Sequence, residues 1–121
     1  MRDDVRVMRE RTRAYALRVI RLSEALPRSG AGRVLGNQVL RSGTSVGAHY
    51  REACRSRSDA ELISKLEGAL QELDETAYWL ELISDATLLA PERLQPLLDE
   101  TNELTSMMVT AVKKLKARKK R

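Results

Sequence analysis

Phenylalanine is absent, and aromatic residues make up only 3% of the 121-residue chain. Leu, Val, Ile and Ala must therefore build any core. The few rings, Tyr15, Tyr50, Tyr78 and Trp79, are too sparse for a base-stacking platform, which argues against sequence-specific readout of single strands. The one cysteine, Cys54, cannot form an intrachain disulfide and fits a reducing compartment. The one histidine, His49, leaves too few ligands for a bundle di-iron centre, which draws on two Glu-x-x-His pairs. His49-x-x-Glu52 and Glu72-x-x-Glu75 are the nearest patterns, so neither a metal nor any other cofactor is expected. No apolar run approaches bilayer-spanning length. The opening MRDDVRVMRERTR lacks the apolar stretch of a signal peptide. The expected location is cytoplasmic, with no membrane partner. No glycine-rich phosphate loop or nucleophile–base arrangement is present, so no catalytic residue is expected and the chain is read as a non-enzyme. Arg51, Arg55 and Arg57 near Cys54 favour its thiolate, but a lone cysteine at a helix end is more often structural.

Leu, Ala, Glu, Arg and Lys dominate what is present, which favours helix over sheet. Apolar residues recur at three- and four-residue steps in four segments. The first segment runs from about Asp4 to Leu26, with Val5, Met8, Thr12, Tyr15, Val19, Leu22 and Leu26 on one face; Pro27 and Gly30 end it. The second runs from about Gly32 to Ala53 and tolerates internal glycines, each costing about 1 kcal/mol relative to Ala. That cost predicts close helix packing at the glycines, the alternative being a break near Ser42-Gly43. The third opens on a capping box, Ser58-Asp59-Ala60-Glu61, and reaches Leu88 or Leu89. Its stripe runs Leu62, Leu66, Ala69, Leu73, Thr76, Leu80 and Ile83. The fourth begins near Pro91, with Pro96 predicting a late start or a kink. Its inner face is Leu94, Leu97, Thr101, Leu104, Met108, Ala111 and Leu115, and residues 116–121 are expected to fray. Connections near 27–31, 54–57 and 89–91 are short, so consecutive helices should be antiparallel neighbours. The predicted fold is all-α: an antiparallel up-down-up-down four-helix bundle, one domain over residues 1–121, with a basic tail from about 113 to 121.

The net charge of +5 conceals three blocks. Residues 1–57 hold thirteen Arg against five acids, residues 58–112 two basic residues against twelve acids, and residues 113–121 seven basic residues with no acid. Such polarity suggests pairing between helices, self-association, or an anionic partner at the basic ends.

The stretch Arg41-Ser42-Gly43-Thr44-Ser45-Val46-Gly47-Ala48-His49-Tyr50-Arg51-Glu52 combines small residues with a polar cluster. With Ser58–Leu66, Glu72–Leu82, Leu26-Pro27 and Gln38, it resembles the four-helix-bundle proteins that include products of intervening sequences in 23S ribosomal RNA genes. The resemblance covers nearly the whole chain, and His49 stands where that family usually has Asn. It implies the bundle fold and a ring-like homopentamer. It also implies kinship with the accessory variability determinant of diversity-generating retroelements, a basic pentameric barrel that binds nucleic acid and works with a reverse transcriptase.

Two groups of site candidates follow. Arg41, Ser45, His49, Arg51, Glu52, Glu72 and Glu75 are read as a structural polar cluster that sets register between helices or subunits. Arg2, Arg6, Arg9 and Arg13 form a stripe on the first helix, broadened by Arg11, Arg18 and Arg21. In an antiparallel bundle that stripe begins beside Lys113, Lys114, Lys116, Arg118, Lys119, Lys120 and Arg121. Together they form a candidate nucleic-acid surface for RNA or DNA. The expected function is an oligomeric accessory or scaffold protein, with a nucleic-acid-handling protein such as a reverse transcriptase as a further candidate partner. A protein-only interaction module and, more distantly, a metal-binding bundle are the alternatives. Trp79 and Tyr78 cannot both face the core, so one should lie at a flank or interface.

Overall fold

The computed structural model describes residues 2–119, apart from the side chain of Lys119. Four helices account for nearly all of them: α1 (Asp3–Glu24), α2 (Gly30–Ala53), α3 (Asp59–Asp85) and α4 (Pro91–Lys119). Each consecutive pair packs closely, α1 and α4 close the ring at a wider separation, and α1 and α3 occupy diagonal corners. Cross-helix contacts fix the direction of every neighbour. Arg118 near the end of α4 meets Asp59 at the start of α3, Glu52 near the end of α2 meets Lys65 early in α3, and Gly36, Gly43 and Gly47 of α2 face Leu26, Val19 and Thr12 of α1 in turn. All neighbours run antiparallel, which is the expected up-down-up-down bundle.

The core follows the predicted stripes except at Val5 and Leu62, which are half-buried, with Ile63 buried beside Leu62 instead. Met8, Tyr15, Val19, Leu22 and Leu26 come from α1, Val39 and Val46 from α2, Leu73, Leu80 and Ile83 from α3, and Leu94, Leu97, Leu104 and Met108 from α4. Near the end of α4 the buried position is Val112, with Ala111 and Leu115 only half-buried. With few rings available, methyl-rich side chains fill the interior, and the one fully buried ring of a tyrosine is that of Tyr15.

Helix α2 is continuous through Ser42-Gly43, so the glycines serve packing rather than a break. A Cβ on Gly43 would lie 2.7 Å from both methyl groups of Val19, and one on Gly47 would lie 3.4 Å from the Thr12 hydroxyl. These positions let the α2 backbone approach α1 directly. The capping box is half formed. Ser58 Oγ accepts from the Glu61 N–H at 3.1 Å, but the Glu61 carboxylate accepts from the Arg57 N–H at 3.4 Å rather than from that of Ser58.

Two boundaries differ from the sequence reading. α3 stops at Asp85, short of Leu88, because the chain turns in a Schellman motif. Thr87 takes a left-handed φ of 56°, the Leu88 N–H donates to Ile83 C=O at 3.1 Å, and the Thr87 N–H donates to Ser84 C=O at 3.0 Å. Such a stop normally carries glycine. At the other end of this connection, α4 starts at Pro91 with Pro96 inside it. The start is therefore not late; Pro96 lacks only the N–H that would reach the Glu92 carbonyl. α4 also extends as helix through Lys119, where fraying was expected from residue 116.

Candidate nucleic-acid interface

Two buried hydroxyl pairs fix the level of neighbouring helices. Ser42 Oγ of α2 lies 2.8 Å from Thr76 Oγ1 of α3, and Tyr15 OH of α1 lies 2.6 Å from Thr101 Oγ1 of α4. Thr76 and Thr101 donate to the carbonyls of Glu72 and Leu97, each at 2.8 Å. Each threonine hydroxyl has a single proton, so Ser42 donates to Thr76 and Tyr15 donates to Thr101. Burial pushes the Tyr15 phenol up to about 12, opposed by its hydrogen bond with Thr101 and by the nearby Thr76 hydroxyl. These two pairs tie α1 to α4 and α2 to α3.

On the outside of the α2–α3 seam, the predicted polar cluster divides in two. In the upper part Arg41 bridges Glu75 at 2.9 Å and the largely buried Glu72 at 3.7 Å. In the lower part Glu52 binds Lys65 at 3.1 Å, with His49 Nδ1 at 4.0 Å from the same carboxylate oxygen. The Lys65 ammonium holds the Glu52 carboxyl below its ordinary pKa. Lys65 was missed in the sequence, although its one-turn offset from Gly68 on the same flank was readable. Two expected members do not join. Ser45 Oγ donates to the Arg41 carbonyl of its own helix at 2.7 Å. Arg51 is exposed and forms no ion pair among the described residues. His49 packs against Gly68, whose added Cβ would lie 3.2 Å from Nδ1. That buried nitrogen has no hydrogen-bond partner among the described residues, so His49 makes no cross-bundle hydrogen bond through it.

The antiparallel order gathers four chain segments at one pole: the start of α1, the end of α2 with its following loop, the start of α3, and the end of α4. Several cations there are neutralised locally. Arg2 pairs with Asp4 at 3.3 Å, Arg6 with Asp3 at 3.2 Å, and Lys116 with Glu67 at 3.7 Å. Arg118 grips Asp59 through Nε at 3.2 Å and Nη2 at 2.7 Å. Exposed pairs of this kind are worth little and open readily to a competing phosphate. Arg9, Arg13, Lys113 and Lys114 form no ion pair among the described residues. Arg51, Arg55 and Arg57 are exposed at the same pole. They were missed as part of this patch because Arg51 was read into the polar cluster and Arg55 and Arg57 into a connection; the topology brings them beside the other two blocks. Lys120, Arg121 and the Lys119 side chain lie outside the described residues.

Arg11, Arg18 and Arg21 do not extend the patch as a simple stripe. Arg11 turns across the wide α1–α4 seam to Glu100, with Nη2–Oε1 at 2.6 Å and Nε–Oε2 at 3.1 Å. Arg18 and Arg21 line a groove toward the opposite pole with Leu22, Arg93, Pro96 and Leu97. At the basic pole, half-buried Tyr50 of α2 packs against both apolar clusters of the core. Burial pushes its phenol up to about 12, with Cys54 and Asp4 adding to the shift and Arg9 opposing it. Cys54 itself is exposed. Among the described residues, no group of three His, Cys, Asp or Glu side chains could hold a metal ion. No helix among them is long and apolar enough to cross a membrane.

Comparison with known proteins places this geometry in context. The sequence model of the 23S rRNA-intervening sequence protein family matches residues 4–110. A crystal structure of a protein of unknown function from the S23 ribosomal protein family of Bacteroides thetaiotaomicron VPI-5482 is similar, at 31% identity and a TM-score of 0.81. The match covers 88% of this chain and 98% of that one. No curated protein matches the chain.

Proposed function

The chain belongs to the 23S rRNA-intervening sequence protein family, and from that premise we propose a non-enzymatic, cytoplasmic, self-associating bundle that contacts RNA or DNA through its basic pole. The carrying observation is the convergence there of cations from α1, α2 and α4, among them Arg9, Arg51, Lys113 and Lys114, with no ion-pair partner among the described residues. Phosphates are the chemistry that such a surface fits: each neutralised phosphate releases condensed counterions and strengthens binding at low salt. The scarcity of exposed rings makes the contact one of backbone and shape rather than base identity. Self-association into a ring, a homopentamer in the reading drawn from the family, would multiply the patch around one face. A reverse transcriptase, or another protein that handles nucleic acid, is a partner of the same chemistry.

A second reading, a protein-only interaction module, has its own support in the exposed apolar side chains Leu17, Ile20 and Tyr78. Fluorescence anisotropy with labelled duplex RNA and duplex DNA separates the two. The nucleic-acid reading expects binding at low salt that weakens when Lys113 and Lys114 are changed to Glu. Absence of binding even at low salt removes it and leaves the protein-only module.

A further inference from the structure

We propose that the outer face of α1 docks against the outer face of α3 on a second copy of this chain, head to tail. The proposal rests on the reading of the chain as self-associating and names the surfaces involved. Among the described residues α1 and α3 contact α2 and α4 but not each other, so their outer faces look in opposite directions. The two faces differ in charge and share exposed apolar side chains.

On α1 the buried line is Met8, Thr12, Tyr15, Val19 and Leu22. At about 100° per residue, Leu17 points directly away from it. Leu17 is 44% and Ile20 36% exposed, and they are flanked by the exposed Arg13 and Arg21. On α3 the outward line is Gln71, Asp74, Tyr78, Glu81 and Asp85, all exposed. Tyr78 is 52% exposed, its ring inclined at 55° to that of half-buried Trp79. Asp74, Glu81, Arg13 and Arg21 have no ion-pair partner among the described residues. The centre of the α1 face is thus cationic around aliphatic side chains, with the exposed Glu10 and Glu24 at its two ends, and the α3 face is anionic around an aromatic centre.

The register matches as well. α1 and α3 run in the same direction, and the Tyr15–Thr101 and Arg118–Asp59 contacts through α4, with Thr12 beside Gly47 and the Ser42–Thr76 pair through α2, put Tyr15 level with Thr76. Counting outward from that pair, to within about a helical turn, Leu17 is level with Tyr78, Arg13 with Asp74, and Ile20 and Arg21 with Glu81. A rotation about an axis parallel to the helices keeps levels, so these residues meet between neighbouring copies. Glu24 and Asp85 form the one like-charged match, at the end of the stripe. A two-fold contact is disfavoured, because α1 on α1 sets arginine against arginine and α3 on α3 sets acid against acid.

Light scattering on purified protein, with circular dichroism to follow folding, tests the surfaces. Wild type is expected as a discrete species above 13.7 kDa whose mass falls as salt is raised. Arg21→Glu alone should weaken assembly by about tenfold or more in dissociation constant. Glu81→Arg added to it should restore assembly, and Arg33→Glu, on α2, should leave mass unchanged. If wild type is itself a 13.7 kDa monomer, self-association fails and the proposal with it. If wild type is larger but neither Arg21→Glu nor Leu17→Asp changes its mass, self-association stands and these docking faces are wrong.

Discussion

Gly43 shows how much one missing methyl group can decide. Both branches of Val19 lie 2.7 Å from the point a Cβ would occupy there, and a β-branched side chain in a helix has little rotameric freedom to retreat. Alanine would gain about 1 kcal/mol of helix propensity but overpack the α1–α2 contact by about 1–3 kcal/mol. Gly43→Ala is therefore expected to lower stability, by about 1 kcal/mol net, in urea denaturation. The buried phenols set a second expectation. Tyr15 and Tyr50 both have phenols pushed up to about 12, against about 10 in the unfolded chain. Between those values the unfolded state releases protons that the folded state retains, so stability falls as pH rises. Their contribution is intact below about pH 10 and is lost from there toward about 12. Denaturation midpoints measured across that window should decline less steeply in Tyr15→Phe than in wild type; equal slopes would rule out Tyr15 as a source.

At the scale of elements, Thr87 marks the place where local preference and tertiary structure disagree. A β-branched residue in the left-handed region costs about 1–2 kcal/mol, yet the Schellman turn requires that conformation and lets Leu88 pack on the core. Thr87→Gly is expected to raise stability by about 1 kcal/mol in thermal or urea unfolding; a loss of that size would mean that the Thr87 hydroxyl, which donates to the Ala86 carbonyl at 2.7 Å, matters more than the backbone. The same turn explains a limit of the sequence. Helix existence and inner faces were legible because Met8, Tyr15, Leu73, Leu80 and Leu104 keep the 3.6-residue period. The end of α3 was not, because the signal expected at such a stop is glycine and threonine stands there instead. The polar cluster was half legible. Arg41 with Glu72 and Glu75 follows from charge and spacing, whereas the pairing of Glu52 with Lys65 needs the α2–α3 register. Arg51 was misassigned because one residue of helix phase turns it from the seam to the outside.

At the scale of the whole molecule, antiparallel topology converts a linear charge pattern into a polar body. The basic start of α1, the arginines after α2 and the basic end of α4 meet at one pole, while acids remain along the outer face of α3. This convergence could be anticipated for the two chain ends, but not for Arg55 and Arg57, whose place depends on where α2 stops. The central claim is that this pole binds phosphate backbones, and the salt dependence of duplex RNA binding tests it most directly. Wild type should show log K falling linearly with log salt. Changing Arg55, Arg57, Lys113 and Lys114 to Gln should weaken binding and flatten the line by about 0.7–0.9 for each phosphate no longer neutralised. Wild-type binding absent at low salt, or a line unchanged by those four substitutions, would contradict it.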